Sequence, residues 1–278
     1  MTELPRYVDL HLHSTASDGA LPPEEVVKAA RDAGLAAIAL TDHDTVDGVG
    51  AAVRAGEALG VRVIAGVELS AHDGKEEVHL LGLHLARVEQ MAGALARFRD
   101  DRVSRAEQIV QKLNAIGVPL GVDAVLAESG GGAVGRPHVA RALVKGGFVT
   151  DEREAFYRYL AAGKKAYVDK PRLEVADAVR LVHDAGGIVV WAHPGAEGRR
   201  DRIERFVAAG LDGVEVRHPS HTPDDIERLG ALVDFLALVP SGGSDWHGQL
   251  GTRAIGMMNV PAAWLDAQQR RAEARRAA

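Results

Sequence analysis

Histidines and carboxylates follow directly on short apolar runs in this sequence. The first run leads into YVDLHLHSTASDG, where His11 and His13 are two residues apart and Asp18 lies in the polar segment beyond them. Alternate residues of a strand point to the same face, so His11 and His13 can chelate one ion. Imidazole nitrogens with carboxylate oxygens suit Mn²⁺, Fe²⁺ or Zn²⁺. This stretch therefore predicts part of a metal site.

Five further apolar runs end in the same residue types. Their polar ends hold Asp42, His43 and Asp44; Glu68; His193; Glu215, His218 and His221; and Asp245 and His247. A lone histidine at a strand end is usually a surface residue or a hydrogen-bonded core residue. In parallel α/β barrels, however, the carboxyl ends of the strands form one face that carries the active site. The repetition predicts that these side chains meet there and bind metal.

His79 differs because it lies near the beginning of its predicted strand. In VELSAHDGKEEVHLL, a two-residue turn at Asp73 and Gly74 would pair Glu68 with His79 across a hairpin. Paired side chains on one face are close enough to share an ion. His72, in the turn, His84, out of strand phase with His79, and His183, inside an amphipathic helix, are interpreted as ordinary structural residues.

The elements that must position these residues alternate between strands and amphipathic helices. Such alternation, with strands apolar on both faces, is typical of a parallel sheet and here favours an α/β barrel. The predicted strands are Arg6–Leu10, Ala36–Leu40, Arg62–Val67, Val78–Leu83, Ile188–Trp191, Gly213–Val216 and Phe235–Val239.

The alternation stops between residues 89 and 167, where the pattern is helical throughout. We interpret 1–88 and 168–278 as the barrel domain and 89–167 as a small helical insertion that carries GGGAVGRPH. The last residues, AAWLDAQQRRAEARRAA, are predicted to form a solvated helix that frays.

Composition narrows the classes of protein that fit. The 278 residues include no cysteine, which excludes disulfides and thiolate metal sites, and the net charge of −6 does not favour a long nucleic-acid duplex. No leader pattern and no long uncharged apolar run is visible, so we expect a cytoplasmic protein without membrane contact and with no obligate protein partner.

Together the motifs resemble one family. DLHLHSTASDG, TDHDT, GVELS, VHLLGL, WAHPG and GGSDWHG are similar, in order, to the polymerase and histidinol phosphatase (PHP) superfamily of metal-dependent phosphoesterases, over residues 6–85 and 186–255. The resemblance implies a distorted (β/α)7 TIM-like barrel. GRPHVARALV and EVRHPSH resemble the subgroup of 3′,5′-nucleotide bisphosphatases and a 5′-to-3′ exoribonuclease.

The resemblance also implies which residues bind two or three divalent ions, with Mn²⁺ expected before Fe²⁺ or Zn²⁺. The implied groups are His11, His13, Glu68 and Asp245; then Asp18, His43 and His247; then Glu68, His79 and His193. Asp42 would orient a ligating histidine. Asp18 stands where some relatives have histidine, which makes its group richer in oxygen.

The expected reaction is hydrolysis of a phosphoester by a hydroxide that bridges two metal ions. Arg136 and His138 are the candidates for phosphate binding, and His218 and His221 could bind phosphate or protonate the leaving oxygen. His221 is thus a candidate catalytic residue beside Arg136 and His138. The expected substrate is a nucleoside 3′,5′-bisphosphate, or a short 5′-phosphorylated oligoribonucleotide shortened stepwise.

Three alternatives share parts of this pattern. A histidinol-phosphate phosphatase would use the same metal residues, but the GRPH insertion does not favour it. A metal-dependent amidohydrolase would use similar barrel chemistry, but no strand clearly ends in a lysine suited to carbamylation. A non-catalytic metal-binding PHP module would need neither the full ligand set nor a substrate site.

Overall fold

The computed structural model describes residues 7–130, 134–169, 173–248 and 253–277, without the side chains of 97–101. Eight strands form one sheet in the order β7-β6-β5-β4-β3-β2-β1-β8. The strands are β1 (Tyr7–Leu12), β2 (Ala37–Leu40), β3 (Arg62–Asp73), β4 (Glu76–Leu83), β5 (Ile188–Trp191), β6 (Gly213–Arg217), β7 (Val239–Gly242) and β8 (Val260–Pro261).

Helices connect most of these strands, as the alternating pattern predicts. They are α1 (Pro23–Asp32), α2 (Val49–Leu59), α3 (Val88–Ala115), α4 (Val122–Ser129), α5 (Arg136–Lys145), α6 (Glu152–Ala155), α7 (Val175–Asp184), α8 (Arg200–Ala208), α9 (Pro223–Phe235) and α10 (Ala262–Ala277). A π-helical turn (Phe156–Leu160) follows α6, and a short 3₁₀ helix (Gly195–Glu197) precedes α8. No helix in the described ranges is long and apolar enough to cross a membrane.

Backbone bonds bring the two ends of the sheet together into a nearly closed barrel, which confirms the predicted fold class. Beyond β7, the Asp245 amide donates to the His11 carbonyl at 3.0 Å, and the His13 amide donates to the Trp246 carbonyl at 3.1 Å. Fully buried Asp9 accepts from the amides of Ser244 (2.9 Å) and Gly256 (2.8 Å). The seam therefore places Asp245 beside β1.

One predicted strand was misplaced, one continues to Asp73 instead of ending at Val67, and one strand was missed. Phe235–Val239 was predicted as a strand, but α9 begins at a capping box on Thr222 and continues to Phe235. Ala237 then has a left-handed φ of 52°, so the strand begins only at Val239. β8 has two residues, too few to show a period of two in the sequence.

The C-terminal helix is packed, not solvated as predicted. Leu265, Gln268 and Ala272 of α10 are buried. Arg275 donates to Asp212 at 2.6 Å, and Arg276 donates to the carbonyl of Gly186 at 3.2 Å. These contacts attach α10 to the end of the barrel where β6 begins, because the buried Asp212 carboxylate and the Gly186 carbonyl there accept hydrogen bonds from its arginines.

Helices α3 to α6 lie between β4 and β5 and contain a hydrophobic cluster of their own. Leu113, Val125, Leu143 and Leu160 belong to this cluster and not to those of the barrel. Between residues 89 and 167, the described residues form no strand. The segment is therefore helical, as its pattern predicts.

Candidate metal centre

Glu68, in β3, lies at the centre of the polar residues and is 1% exposed. Five imidazoles surround its carboxylate. Oε2 lies 3.1 Å from Nε2 of His11, 3.2 Å from Nε2 of His13 and 3.4 Å from Nδ1 of His43, while Oε1 lies 2.8 Å from Nδ1 of His79 and 3.1 Å from Nε2 of His193. One carboxylate thus joins five histidines from four separate segments, because His11 and His13 belong to the same one.

Asp245, just beyond β7, is a second shared carboxylate. Its Oδ1 lies 3.2 Å from Nε2 of His13 and 3.6 Å from Nε2 of His11, and its Oδ2 lies 3.4 Å from Nε2 of His218. Asp245 has φ of 50°, and His193 has φ of 34°, a region that residues other than glycine rarely adopt. The site thus holds two residues in unusual backbone conformations.

The donor atoms fall into three groups, each compact enough to hold a metal ion. They are His11, His13, Glu68 and Asp245; His13, Asp18, His43 and His247; and His43, Glu68 and His79. The first has the membership that the sequence analysis gives. The second adds His13 to the expected three. The third contains His43 where His193 was expected, although His193 contacts the same oxygen of Glu68 as His79.

The hairpin between β3 and β4 has a different register from the predicted one. Ser70, not Glu68, pairs with His79, and Glu68 pairs with Leu81. The turn consists of Gly74 and Lys75, one residue later than expected. A shift of two positions in the partner keeps His79 on the face of Glu68, so the two side chains still meet as diagonal neighbours.

The charges in the centre divide the histidines into two kinds. Burial opposes protonation of His13, but the close carboxylates of Asp245 and Glu68 prevail and raise its pKa to about 10. Burial lowers the pKa of His43 to about 3, and the like charges on neighbouring histidines add to this effect. Burial alone would raise the pKa of Glu68, yet the surrounding imidazoles hold it well below its ordinary value.

The residues fit divalent metal. Within the described residues, neither buried ring nitrogen of His13 makes a hydrogen bond, although two carboxylates lie close to Nε2. Buried polar atoms without partners are costly in a folded protein. A divalent cation bound by neutral imidazoles and ionised carboxylates would satisfy them, and the donor set is the one that mixed nitrogen and oxygen sites use.

Two buried carboxylates support this centre from outside. Glu215 accepts from Nδ1 of His11 at 3.1 Å, which directs Nε2 of that ring toward Glu68. Asp42 was predicted to orient a histidine, which was wrong. It accepts instead from the Ser14 amide at 2.7 Å and the Ser17 hydroxyl at 2.8 Å, because the loop that leads to Asp18 folds over it.

The other predicted histidines lie at the edge of the centre. His138 accepts from the Gly135 amide at 2.9 Å through Nδ1 and donates to the Ser17 carbonyl at 3.0 Å through Nε2. His221 donates to the Val216 carbonyl at 2.9 Å and accepts from the Gly195 amide at 3.1 Å. Both ring nitrogens of His138 and of His221 are thus used in hydrogen bonds to the backbone. The catalytic roles of these two residues stay predictions. His218 contacts Asp245 directly.

A cleft with a cationic wall opens beside the centre, between the barrel and the helical segment. We call it the cationic cleft. Its lining includes Asp18, His43 and His79 at one end and Arg102, Arg105, Arg136 and Phe156 at the other. The guanidinium of Arg136 lies 6.0 Å from the ring centre of Phe156 and 5.6 Å from that of Tyr167.

Arg102 and Arg105 were not predicted as site residues. They lie one turn apart on α3, and this spacing puts them on one face of the helix. In a helix rich in charge, that spacing was the only signal in the sequence. Arg102 pairs with Asp44. Arg105 is 5% exposed and donates to the Val168 carbonyl at 2.9 Å, and within the described side chains no carboxylate pairs with it.

A second cleft adjoins the centre on another side of His79. We call it the acidic cleft, because Glu76, Glu77 and Glu197 line it together with His79, His193 and buried Arg202. Its volume is about 520 Å³, against about 190 Å³ for the cationic cleft.

The sequence matches the PHP domain family over residues 9–162. The chain belongs to this family, as its motifs indicate. The match begins in β1 and includes most of the helical segment, and it ends before His193, Asp245 and His247.

Relatives with known names cover nearly the whole chain. A 3′,5′-nucleoside bisphosphate phosphatase of Chromobacterium violaceum is 39% identical over 86% of this chain and 87% of its own length. A 5′-3′ exoribonuclease of Haemophilus influenzae is 37% identical over 89% and 92%. A phosphoribosyl 1,2-cyclic phosphate 1,2-diphosphodiesterase of Eggerthella lenta is 37% identical over 91% and 99%.

A solved structure agrees with these relatives. A chain from Bifidobacterium adolescentis, described as a metal-dependent phosphoesterase, superimposes with a TM-score of 0.87 at 32% identity, covering 96% of this chain and 98% of that one. The predicted class is thereby confirmed: the protein is a metal-dependent hydrolase of phosphoester bonds with a PHP barrel.

Proposed function

We propose that this phosphoesterase acts on nucleotides that carry a second phosphate. It would hydrolyse the 3′-phosphate of nucleoside 3′,5′-bisphosphates, remove nucleotides from short 5′-phosphorylated oligoribonucleotides, or do both. The names of two relatives support this substrate class. The observation that carries the proposal is the position of Arg105 and Arg136 in the same cleft as Asp18, His43 and His79.

Arg105 is the strongest reason to expect a second anion. Burial, together with the nearby Arg136 guanidinium and against the charge of Glu77, lowers its pKa to about 10. It therefore stays charged at neutral pH while buried beside like charge, which is unfavourable without an anionic partner. A phosphate would supply that partner, because the planar guanidinium donates to phosphate in a bidentate manner.

The metal centre would be formed by the residues whose donor atoms converge. We propose His11, His13, Glu68 and Asp245 as one set, Asp18, His43 and His247 as a second, and Glu68, His79 and His193 as a third. Two or three ions, Mn²⁺ first among the candidates, would lower the pKa of a water molecule and neutralise charge on the phosphoryl oxygens.

The chain's own residues then divide the remaining work. Glu215 keeps the His11 ring turned toward the centre. Arg136 and Arg105 would bind the phosphate that is not cleaved, and Phe156 holds the Arg136 guanidinium over the cleft. His218, which contacts Asp245, would donate a proton to the leaving oxygen.

We also propose how the chain is organised. Residues 1–88 and 168–278 would form the barrel domain and 89–167 the insertion domain, since the helical segment has its own hydrophobic cluster. His138 joins the two through the Ser17 carbonyl. The protein would act in the cytoplasm on nucleotides or short oligonucleotides, without duplex, membrane or obligate partner.

A substrate panel tests the proposal. With Mn²⁺ present, release of phosphate and of nucleotide is measured for adenosine 3′,5′-bisphosphate, a 5′-phosphorylated RNA pentamer, a 3′-mononucleotide, a cyclic phosphoribosyl ester and histidinol phosphate. We expect the bisphosphate or the pentamer to have the highest kcat/KM. Preference for histidinol phosphate or the cyclic ester would contradict the proposal and identify the alternative.

A further inference from the structure

The guanidinium of Arg202, in α8, joins two segments of the metal centre. The side chain is 4% exposed. Nε donates to Oδ2 of Asp73 at 2.9 Å, Nη2 lies 2.8 Å from Oε2 of Glu76, and Nη1 donates to Oε2 of Glu197 at 3.1 Å. Each nitrogen of the fork thus lies near a carboxylate, with hydrogen bonds from Nε and Nη1 and an ion-pair contact at Nη2.

These carboxylates belong to two different segments. Asp73 and Glu76 form the last pair at the tip of the β3–β4 hairpin, which carries His79. Glu197 lies in the 3₁₀ helix that follows His193. Arg202 thus ties the hairpin of one histidine to the loop of the other.

The two histidines need such a tie because they approach the same atom. His79 and His193 lie 2.8 and 3.1 Å from Oε1 of Glu68, and their ring centres are 5.1 Å apart. Their strands β4 and β5 are neighbours, but the ladder between them ends at the pair Leu80 and Trp191, before either histidine. Beyond that pair the Ala192 amide donates to the His79 carbonyl at 3.0 Å, but the hairpin tip and the loop after His193 lie past this bond.

Two further residues, Arg228 and His221, bind the loop from outside the hairpin. Arg228, in α9, donates to the Gly195 carbonyl at 2.7 Å, and His221 accepts from the Gly195 amide. Both fix the loop to the segment after β6. The guanidinium of Arg202 also lies 5.3 Å from the ring centre of Trp191, two residues before His193, which keeps the fork in place.

We propose that Arg202 is a positioning residue that sets the distance between His79 and His193 and so completes the third metal-binding group with Glu68. This inference rests on the proposed function, because it takes these residues as metal ligands. Its basis is the planar fork, which holds three carboxylates in fixed directions, whereas a lysine ammonium is a single point charge.

Arg202→Lys is the informative variant. Lysine keeps the positive charge and the alkyl stem that packs near Trp191, and it loses the fork. The three carboxylates retain side-chain exposures of 27%, 68% and 57%, so none is left as a buried unpaired charge. Arg205→Lys is the matched control, because exposed Arg205 contacts the same oxygen of Asp73 at 2.9 Å without reaching Glu197.

The experiment measures Mn²⁺ binding to metal-free protein by equilibrium dialysis, with urea unfolding of the same samples. His79→Gln marks the ion that depends on the third group. We expect Arg202→Lys to lower the affinity for that ion about 10-fold or more, as loss of a contact that supports a metal ligand does. The affinity for the other Mn²⁺ ions should be unchanged. In the double variant, Arg202→Lys should add little to the loss of affinity caused by His79→Gln. Arg205→Lys should bind as the wild type does.

Three results would decide against the proposal in different ways. Unchanged Mn²⁺ binding by Arg202→Lys overturns it. Equal weakening of every ion, together with a clearly lower urea midpoint than Arg205→Lys, shows a general structural role and also overturns it. Absence of Mn²⁺ binding by the wild type refutes the proposed function itself, which separates that failure from the failure of this inference.

Discussion

The cationic and acidic clefts share Glu77 and His79 in their linings, yet they present opposite charges to a ligand. In the cationic cleft, Arg105 is buried without a carboxylate partner among the described side chains. In the acidic cleft, Arg202 is equally buried and is neutralised by three carboxylates. The same residue type therefore offers charge to a ligand on one side and structural support on the other.

Size alone would select the wrong cleft. The acidic cleft is the larger, and large concave sites are the usual first candidates for ligand binding. Glu76 and Glu197 line only the acidic cleft and would repel an anionic substrate, so we expect the second phosphate to bind in the smaller, cationic cleft. Variants that alter the shared centre or one cleft at a time can test this division.

The largest expected effect comes from the centre that both clefts adjoin. We expect Asp245→Asn to lower kcat about 1,000-fold, because loss of a mere supporting contact already costs about 10- to 100-fold. The measurement is steady-state turnover of the preferred substrate with Mn²⁺. Exposed Asp234 in α9 supplies the control variant, Asp234→Asn. A stability loss in Asp245→Asn, with no turnover in the wild type either, would favour the non-catalytic module.

A site at the other end of the barrel should affect stability without affecting either cleft. Buried Asp212 accepts from His183 at 2.9 Å and from the Val189 amide at 3.0 Å, besides Arg275. We expect Asp212→Asn to reduce the free energy of unfolding by about 2 kcal/mol, the usual scale for hydrogen bonds to a charged group. Urea unfolding measures this, and kcat of the folded variant should match the wild type.

The effect of Asp212 should depend on pH in one direction. Burial raises its pKa, but the hydrogen bonds from His183 and the other donors lower it by more, so the pKa is below the ordinary 3.8. A carboxyl with a depressed folded-state pKa stabilises the protein above its unfolded pKa and loses that contribution as pH falls. The difference between wild type and Asp212→Asn should therefore shrink between about pH 7 and about pH 3. A constant difference would contradict this assignment.

A moderate effect is expected from the cationic cleft. Arg136→Leu removes a guanidinium placed between two aromatic rings, so KM for adenosine 3′,5′-bisphosphate should rise about 10-fold, the scale of one charge-assisted hydrogen bond. The change in kcat should be small, since the centre is intact. Arg158→Gln, at an exposed arginine of the same helical segment that pairs with Glu154, is the control. An equal rise in both variants would remove Arg136 from the binding site.

The smallest effect is expected at the rim of the acidic cleft. The Glu76 side chain is 68% exposed, and exposed ion pairs contribute little. We expect Glu76→Gln to change KM for the bisphosphate by less than about 2-fold, because the substrate does not occupy this cleft. Initial-rate kinetics with the wild type in parallel measures it. A drop in KM of about 10-fold would show that the acidic cleft takes the anion after all.

Sequence reasoning could predict the centre because its residues follow the strands. His11 lies at the carboxyl end of β1, and His43 and His193 follow β2 and β5 directly, whereas Glu68 lies inside β3. The hairpin shows the limit: the turn shifted by one residue, yet His79 still meets Glu68, since a change of partner by two positions preserves the face.

Residues joined only by tertiary packing could not be predicted in this way. Arg105 and Arg202 lie in helices where arginine is common, and only the folded chain shows that, among the described side chains, Arg105 has no carboxylate partner and Arg202 has three. The seam through Asp9 and the docking of Arg275 on Asp212 likewise join segments far apart in sequence. Phe235 was misassigned because a short apolar run fits either a strand or a helix end.

The most direct test of the central claim compares two substrates in two proteins. The kcat/KM for adenosine 3′,5′-bisphosphate is divided by that for adenosine 3′-monophosphate, in the wild type and in Arg105→Gln. If Arg105 binds the second phosphate, the wild-type ratio is well above one and falls about 10- to 100-fold in the variant, while the monophosphate is cleaved equally by both. A ratio that is the same in both proteins would contradict the claim.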